Sequence, residues 1–317
     1  SPHPEQVAAR LEGLYHLTEG LAPILVSTPA AILQRVIPKE PLKKSFLYLV
    51  VGEDLTREAL LEHLVSWGFQ NVPLVEERGD FSVRGGILDI FLPAYSQPVR
   101  LEFCGDRLES LREFDPSSQR SKAHLQELLL LPMKEFSVRP DKIKDILRDI
   151  ERRAEELDLR RKEKNAVLDS LRDGIPFTGM EFLVPYFYST LFSLFSYFPP
   201  DTLLWLDQPA QVEAEVERYD KLVRERAAKA KEEGRLTPPA ERLYLSEREW
   251  REGLASFSQV LSEPLDILPP KGKSSDSILT MKSYLNTDLH REISSQQGKE
   301  SSLAPLVNHL NEWRGER

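Results

Sequence analysis

Cysteine is nearly absent: Cys104 is the single one in 317 residues. One thiol closes no internal disulfide and builds no cysteine-based metal cage, which fits a reducing compartment and a cytoplasmic location. Long apolar runs are also missing. No stretch approaches the roughly 20 consecutive apolar residues of a membrane span, and no basic-then-apolar leader with a small-residue cleavage site opens the chain. Positive charge is in deficit, with 42 Lys and Arg against 51 Asp and Glu and a net charge of -9. That is the wrong sign for a chain whose main task is gripping phosphates, so nucleic acid is a poor primary partner. The 6 His residues are scattered, and none pairs with another at the i, i+4 spacing around a Glu that a helical zinc site uses, so no metal is expected. A glycine-rich phosphate loop is lacking too. Gly272-Lys273-Ser274 looks like the end of one, but Ile267 stands where its first glycine belongs. The many carboxylates fall on solvated helix faces, so no catalytic residue and no cofactor are expected either.

What is present is enough chain for two or three domains. The first segment alternates helix and strand signals. Val7, Leu11, Leu14 and Tyr15 share a helical face; Ile24 to Val26 reads as a strand; Thr28 and Pro29 read as the cap and first residue of a helix reaching Val36; Phe46 to Val51 reads as another strand. The chain opens on a helix with no strand ahead of it, and an apolar stripe from Leu303 to Trp313 near its end has no strand to cover, so truncation at both ends is expected.

From Gly52 to about Arg120 the pattern is one helix, capped by Thr56 with Leu60, Leu61, Leu64 and Val65 inward, and then closely spaced strands. These are Val72 to Glu77, Phe81 to Arg84, Ile87 to Phe91 past Gly85-Gly86, and Val99 to Cys104 joined to Arg107 to Phe114 through the hairpin turn Gly105-Asp106. Leu128 to Leu131 reads as a buried strand, Pro140 to Arg172 as a long charged helix or pair, and the aromatic stretch around Tyr186 to Phe198 as core packing. Leu203 to Leu206 is a further strand, Asp220 to Arg235 a charged helix, and Ser246 with Glu249 a capping box ahead of a helix; the last strand lies near Val260. Pro269 to Ser277 and Ser294 to Ser302 read as linkers.

Alternation along the short strands singles out one surface. Phe81, Val83, Val99, Leu101 and Phe103 fall on the packed side, which leaves Arg84, Arg100, Glu102 and Cys104 on the other. Planar guanidinium groups on a rigid sheet suit bidentate pairing with a partner's carboxylates. Replacing either arginine is then expected to leave the core untouched.

The run Gly79-Asp80-Phe81-Ser82-Val83-Arg84-Gly85-Gly86-Ile87-Leu88-Asp89-Ile90-Phe91 is followed by Pro98-Val99-Arg100-Leu101-Glu102-Phe103 and by Phe114-Asp115-Pro116 with Gln119-Arg120-Ser121. In order and spacing these pieces resemble the bacterial transcription-repair coupling factors, and domain 2 of the excision-repair protein UvrB. Gly179-Met180-Glu181-Phe182-Leu183-Val184-Pro185 and Ser196-Tyr197-Phe198-Pro199-Pro200 resemble the same family. The resemblance implies an α/β fold in which a degenerate RecA-like parallel-sheet domain, similar to UvrB domain 1, is interrupted by a small α+β domain. The expected segments are 1–51 and 122–264 for the α/β domain, 52–121 for the insert, and 265–317 for a linker and the start of a following domain. It implies UvrA as the partner, with Arg84 and Arg100 at the positions of the family's UvrA-contacting arginines and Cys104 where an aromatic contact residue can stand. RNA polymerase, DNA, ATP and magnesium are implied only for other parts of the long family chain, whose own domains are further candidate partners of this face. The alternative is a UvrB-like ATP-dependent damage-loading protein, which needs a phosphate loop and an aromatic DNA-gripping hairpin.

Overall fold

Helix α1 (Pro4–Thr18) leads into two short helices, α2 (Pro29–Ile32) and α3 (Lys39–Lys43), then strand β1 (Leu47–Val50) and helix α4 (Arg57–Ser66). Strands β2 (Gln70–Asn71), β3 (Asp80–Arg84), β4 (Ile87–Ile90), β5 (Val99–Cys104), β6 (Arg107–Phe114), β7 (Ser121–Leu125) and β8 (Glu127–Leu130) follow. Next come α5 (Ile143–Glu156), α6 (Arg161–Arg172), 3-10 turns at Met180–Tyr186 and Leu194–Tyr197, β9 (Leu203–Asp207), α7 (Pro209–Glu232), α8 (Glu247–Ala255) and β10 (Ser258–Ser262). The computed structural model describes residues 4–22, 24–136, 142–175, 177–262, 287–295 and 303–315. It divides into the units Ser1–Pro264 and Leu265–Arg317, the second containing α9 (Thr287–Ser295) and α10 (Ala304–Gly315).

The chain is a mixed α/β protein. Its largest sheet has the order β2-β3-β4-β5-β6-β7, antiparallel throughout except for the short parallel pair β2 and β3. The register aligns Leu88 with Leu101, Leu101 with Leu111 and Leu111 with Leu125, so one face carries a continuous apolar row. Leu60, Leu64 and Trp67 from and just after α4 close over that row, and Leu49, Leu128 and Leu130 of the antiparallel pair β1–β8 join the same core. Leu60 and Leu64 are one helical turn apart and fully buried, whereas Val65 points to solvent, contrary to the inward placement expected from the sequence. Burying a side chain of this size contributes about 1.5–3 kcal/mol each, before the opposing chain entropy.

Two glycine turns set the ends of the strands. Gly105 takes a positive φ of 62 at the β5–β6 hairpin, a conformation that costs glycine nothing. At Gly86 the constraint is space: a Cβ there would stand 2.7 Å from the Phe103 carbonyl oxygen, whose own amide donates to the Gly86 carbonyl at 2.7 Å. Gly86→Ala is expected to destabilise the protein by about 1–3 kcal/mol through forced backbone shifts, read as a lowered midpoint in thermal unfolding. A midpoint equal to the parent's would show that the strands can separate without cost.

The flanking part differs from expectation in several places. Ile24 to Val26 is irregular and in no ladder, and Ile24 and Val26 are exposed: an apolar run without a neighbouring strand has nothing to pair with. The helix after Thr28, whose hydroxyl accepts from the Ala31 amide, stops at Ile32. The expected strand from Val72 to Glu77 is an irregular segment, and the short strand β2 ends before it at Asn71. The charged stretch after residue 142 is a helix pair, α5 and α6, and the aromatic stretch does pack as core, although Phe182 and Phe192 stay exposed. Tyr197 lies at its centre, donating its hydroxyl to the Ile37 carbonyl at 2.8 Å, and burial pushes its phenol pKa up. Leu203 to Asp207 and Ser258 to Ser262 form a parallel pair packed by α7 and α8, and α8 starts with the expected Ser246–Glu249 capping box. The segment 269–277, with Gly272-Lys273-Ser274, and residues 296–302 of the second expected linker lie outside the described residues. No described helix is long and apolar enough to cross a membrane.

Candidate partner-binding face

The second face of the six-stranded sheet carries two cross-strand polar rows. Register places Ser82 beside Asp89, Asp89 beside Arg100, Arg100 beside Arg112 and Arg112 beside His124. The neighbouring row runs Arg84, Ile87, Glu102 and Ser110. Alternation thus holds for Arg84 and Arg100, and Cys104 lies exposed at the end of β5.

The face is not uniformly open. Residues 72–79 fold over one end of it, where Val75, Phe91 and Phe114 form a small apolar cluster of their own. The Pro73 carbonyl accepts from the Ser82 hydroxyl and from the Arg84 guanidinium, and the Asp80 carboxylate accepts from the Glu76 and Glu77 amides at 3.2 and 2.9 Å. This strap buries Ser82 and Asp89 to 4% and 3% exposure.

Arg100 is therefore committed inside the molecule. Its Nε and Nη2 donate to the two Asp89 carboxylate oxygens at 2.7 and 2.8 Å, and its guanidinium carbon stands 4.8 Å from the centre of the Phe114 ring. The Asp89 hydrogen bond holds its pKa above the usual arginine range despite partial burial. The expectation that Arg100 can be replaced without cost to the core is corrected here, because its removal leaves a buried carboxylate unpaired. The bidentate pair uses Nε and Nη2, so Nη1 stands outside it. Arg112 is likewise neutralised, by Glu102 at 2.9 Å, and Glu102 also accepts from Ser110 at 2.6 Å. Arg84 differs: it is exposed and, among the described residues, meets a backbone carbonyl and no carboxylate.

Sequence reasoning missed Asp89. The signal was available, since a carboxylate inside the apolar strand Ile87-Leu88-Asp89-Ile90-Phe91 needs a cationic partner if it is to stay charged. A second missed feature is the loop after Phe114. The Asp115 carboxylate accepts from the Ser117 and Ser118 amides at 3.1 and 2.9 Å and pairs with Lys122 at 3.1 Å, which holds its pKa down at about 2. A depressed carboxylate stabilises above its unfolded pKa of roughly 4, and loses that contribution as pH falls through its folded value. The Asp115 carboxyl resonance is expected to titrate with a midpoint near 2 by NMR. A midpoint near the ordinary value of about 4 would show the loop to be unformed.

The family model of the UvrB interaction domain matches residues 47–136, which takes in β1 to β8 and the face just described. A transcription-repair-coupling factor of Myxococcus xanthus is 35% identical over 99% of this chain and 26% of its own length. Those of Escherichia coli (strain K12) and Bacillus subtilis (strain 168) are 33% and 31% identical over 71% and 74% of this chain. The chain belongs to the transcription-repair-coupling factor family. It spans between 19% and 26% of the length of these curated coupling factors.

Proposed function

We propose that this coupling-factor segment serves transcription-coupled DNA repair by recruiting UvrA through the sheet face that bears Arg84, Arg100 and Cys104. The observation that carries the reading is the state of the two arginines. Arg84 presents a guanidinium with no carboxylate partner among the described residues, and Arg100 is fixed by Asp89 and Phe114 through Nε and Nη2, with Nη1 outside that pair. A partner carboxylate met by such preset donors loses little side-chain freedom on docking. The similarity of 47–136 to the UvrB interaction domain supports the same face, and Cys104 would lie at its margin. In this reading the segment is a binding module with no cofactor of its own. Residues 1–51 and 122–264 act as a degenerate RecA-like scaffold, which the parallel pair β9–β10 supports. RNA polymerase, DNA and nucleotide would be handled by other parts of the long chain. The test is capture of purified UvrA by this chain at physiological ionic strength, weakening as salt rises. Absence of capture across that range would remove the reading.

A further inference from the structure

Arg84 sits at the end of β3, immediately before Gly85 and Gly86. Two successive glycines give the turn into β4 wide conformational freedom, and Gly85 uses it with a positive φ of 59. Left alone, such a turn would let the last residue of β3 wander. One clamp is the Phe103 amide on the Gly86 carbonyl. The other comes from across the fold: Arg57, the first residue of α4, donates from Nη1 to the Gly85 carbonyl. Its guanidinium also touches Glu58 at 3.4 Å, while its Nε is buried without a hydrogen-bond partner among the described residues. With Nε unpaired and Glu58 at the long distance of 3.4 Å, the shorter bond to the Gly85 carbonyl is the main hold on this guanidinium.

We infer that Arg57 is a positioning residue for the partner-binding face, acting through the Gly85-Gly86 turn to fix the direction of Arg84. This rests on the proposed recruitment of UvrA. Without Arg57 the Gly85-Gly86 turn beside Arg84 has one clamp fewer, more of its ordering falls at the moment of docking, and the affinity falls although no contact to the partner is deleted.

A double-mutant cycle on the full chain with purified UvrA tests this. Arg57→Ala is expected to weaken binding by about three- to tenfold, and to weaken Arg84→Ala no further than about twofold, because the residue it positions is gone. Amide hydrogen exchange at Gly85 and Gly86 should quicken in Arg57→Ala, and Arg57→Lys, which keeps a donor, should restore both slow exchange and affinity. Should Arg84→Ala bind as tightly as the parent, the face itself is wrong. Should Arg84→Ala lose affinity while Arg57→Ala does not, or should the two losses multiply, the face stands and the positioning role falls.

Discussion

Asp89→Ala is expected to lower the stability of the protein by about 3–5 kcal/mol, the usual cost of breaking a buried ion pair from one side. The Asp89 carboxylate is 5% exposed and takes both oxygens to Arg100, so its removal strands a guanidinium that is itself only 19% exposed against the Phe114 ring. Arg100→Glu should be at least as damaging, since it sets a second carboxylate beside the buried one. The double replacement of Asp89 and Arg100 by apolar residues should recover much of the loss, because neither charge is then stranded. Urea unfolding of the three variants measures this. A loss below about 1 kcal/mol in Asp89→Ala would mean that the pair is as weakly coupled as an exposed one. The consequence for function is direct: reduced UvrA capture by an Arg100 variant reports on contact only after its lowered stability has been subtracted.

The local features of the chain were legible because each depends on a few neighbouring residues. The Ser246–Glu249 capping box, the Gly105 hairpin and the alternation that separates Phe81, Val99 and Leu101 from Arg84 and Arg100 all follow from short-range chemistry. What stayed hidden depends on long-range pairing. Ile24 to Val26 has the composition of a strand but no described strand beside it, and apolar content alone cannot supply a neighbour. The strap of residues 72–79 is held by Pro73, Asp80 and Ser82 and by burial of Val75 against Phe91 and Phe114, none of which leaves a periodic trace in sequence. That strap turned an expected open face into a partly covered one. Asp89 meets Arg100 only because the β4–β5 register sets them side by side, and that register is fixed by the leucine rows on the opposite face. The two guanidinium groups singled out by alternation thus prove physically unlike, one anchored and one available.

That difference makes Arg84 the cleaner probe of recruitment. Arg84→Glu is expected to abolish UvrA capture while leaving the melting temperature close to the parent's. In the free protein its side chain is exposed and, among the described residues, bonded only to the Pro73 carbonyl, so the loss to folding is that of about one hydrogen bond, ~1 kcal/mol. At a desolvated interface the loss of one member of a charge pair costs about 2–5 kcal/mol, and reversing its sign adds repulsion, so affinity should fall at least about thirtyfold. Leu101→Asp is the opposite case. Leu101 is 0% exposed in the row shared with Leu88 and Leu111, and a carboxylate there has no partner, so the variant should lose capture by unfolding, seen as early melting. Affinity measured by calorimetry beside thermal melts separates the two routes. If Arg84→Glu melts early, the strap over the face depends on it more than one hydrogen bond allows. If it melts normally and binds UvrA as the parent does, recruitment proceeds through some other surface of the chain.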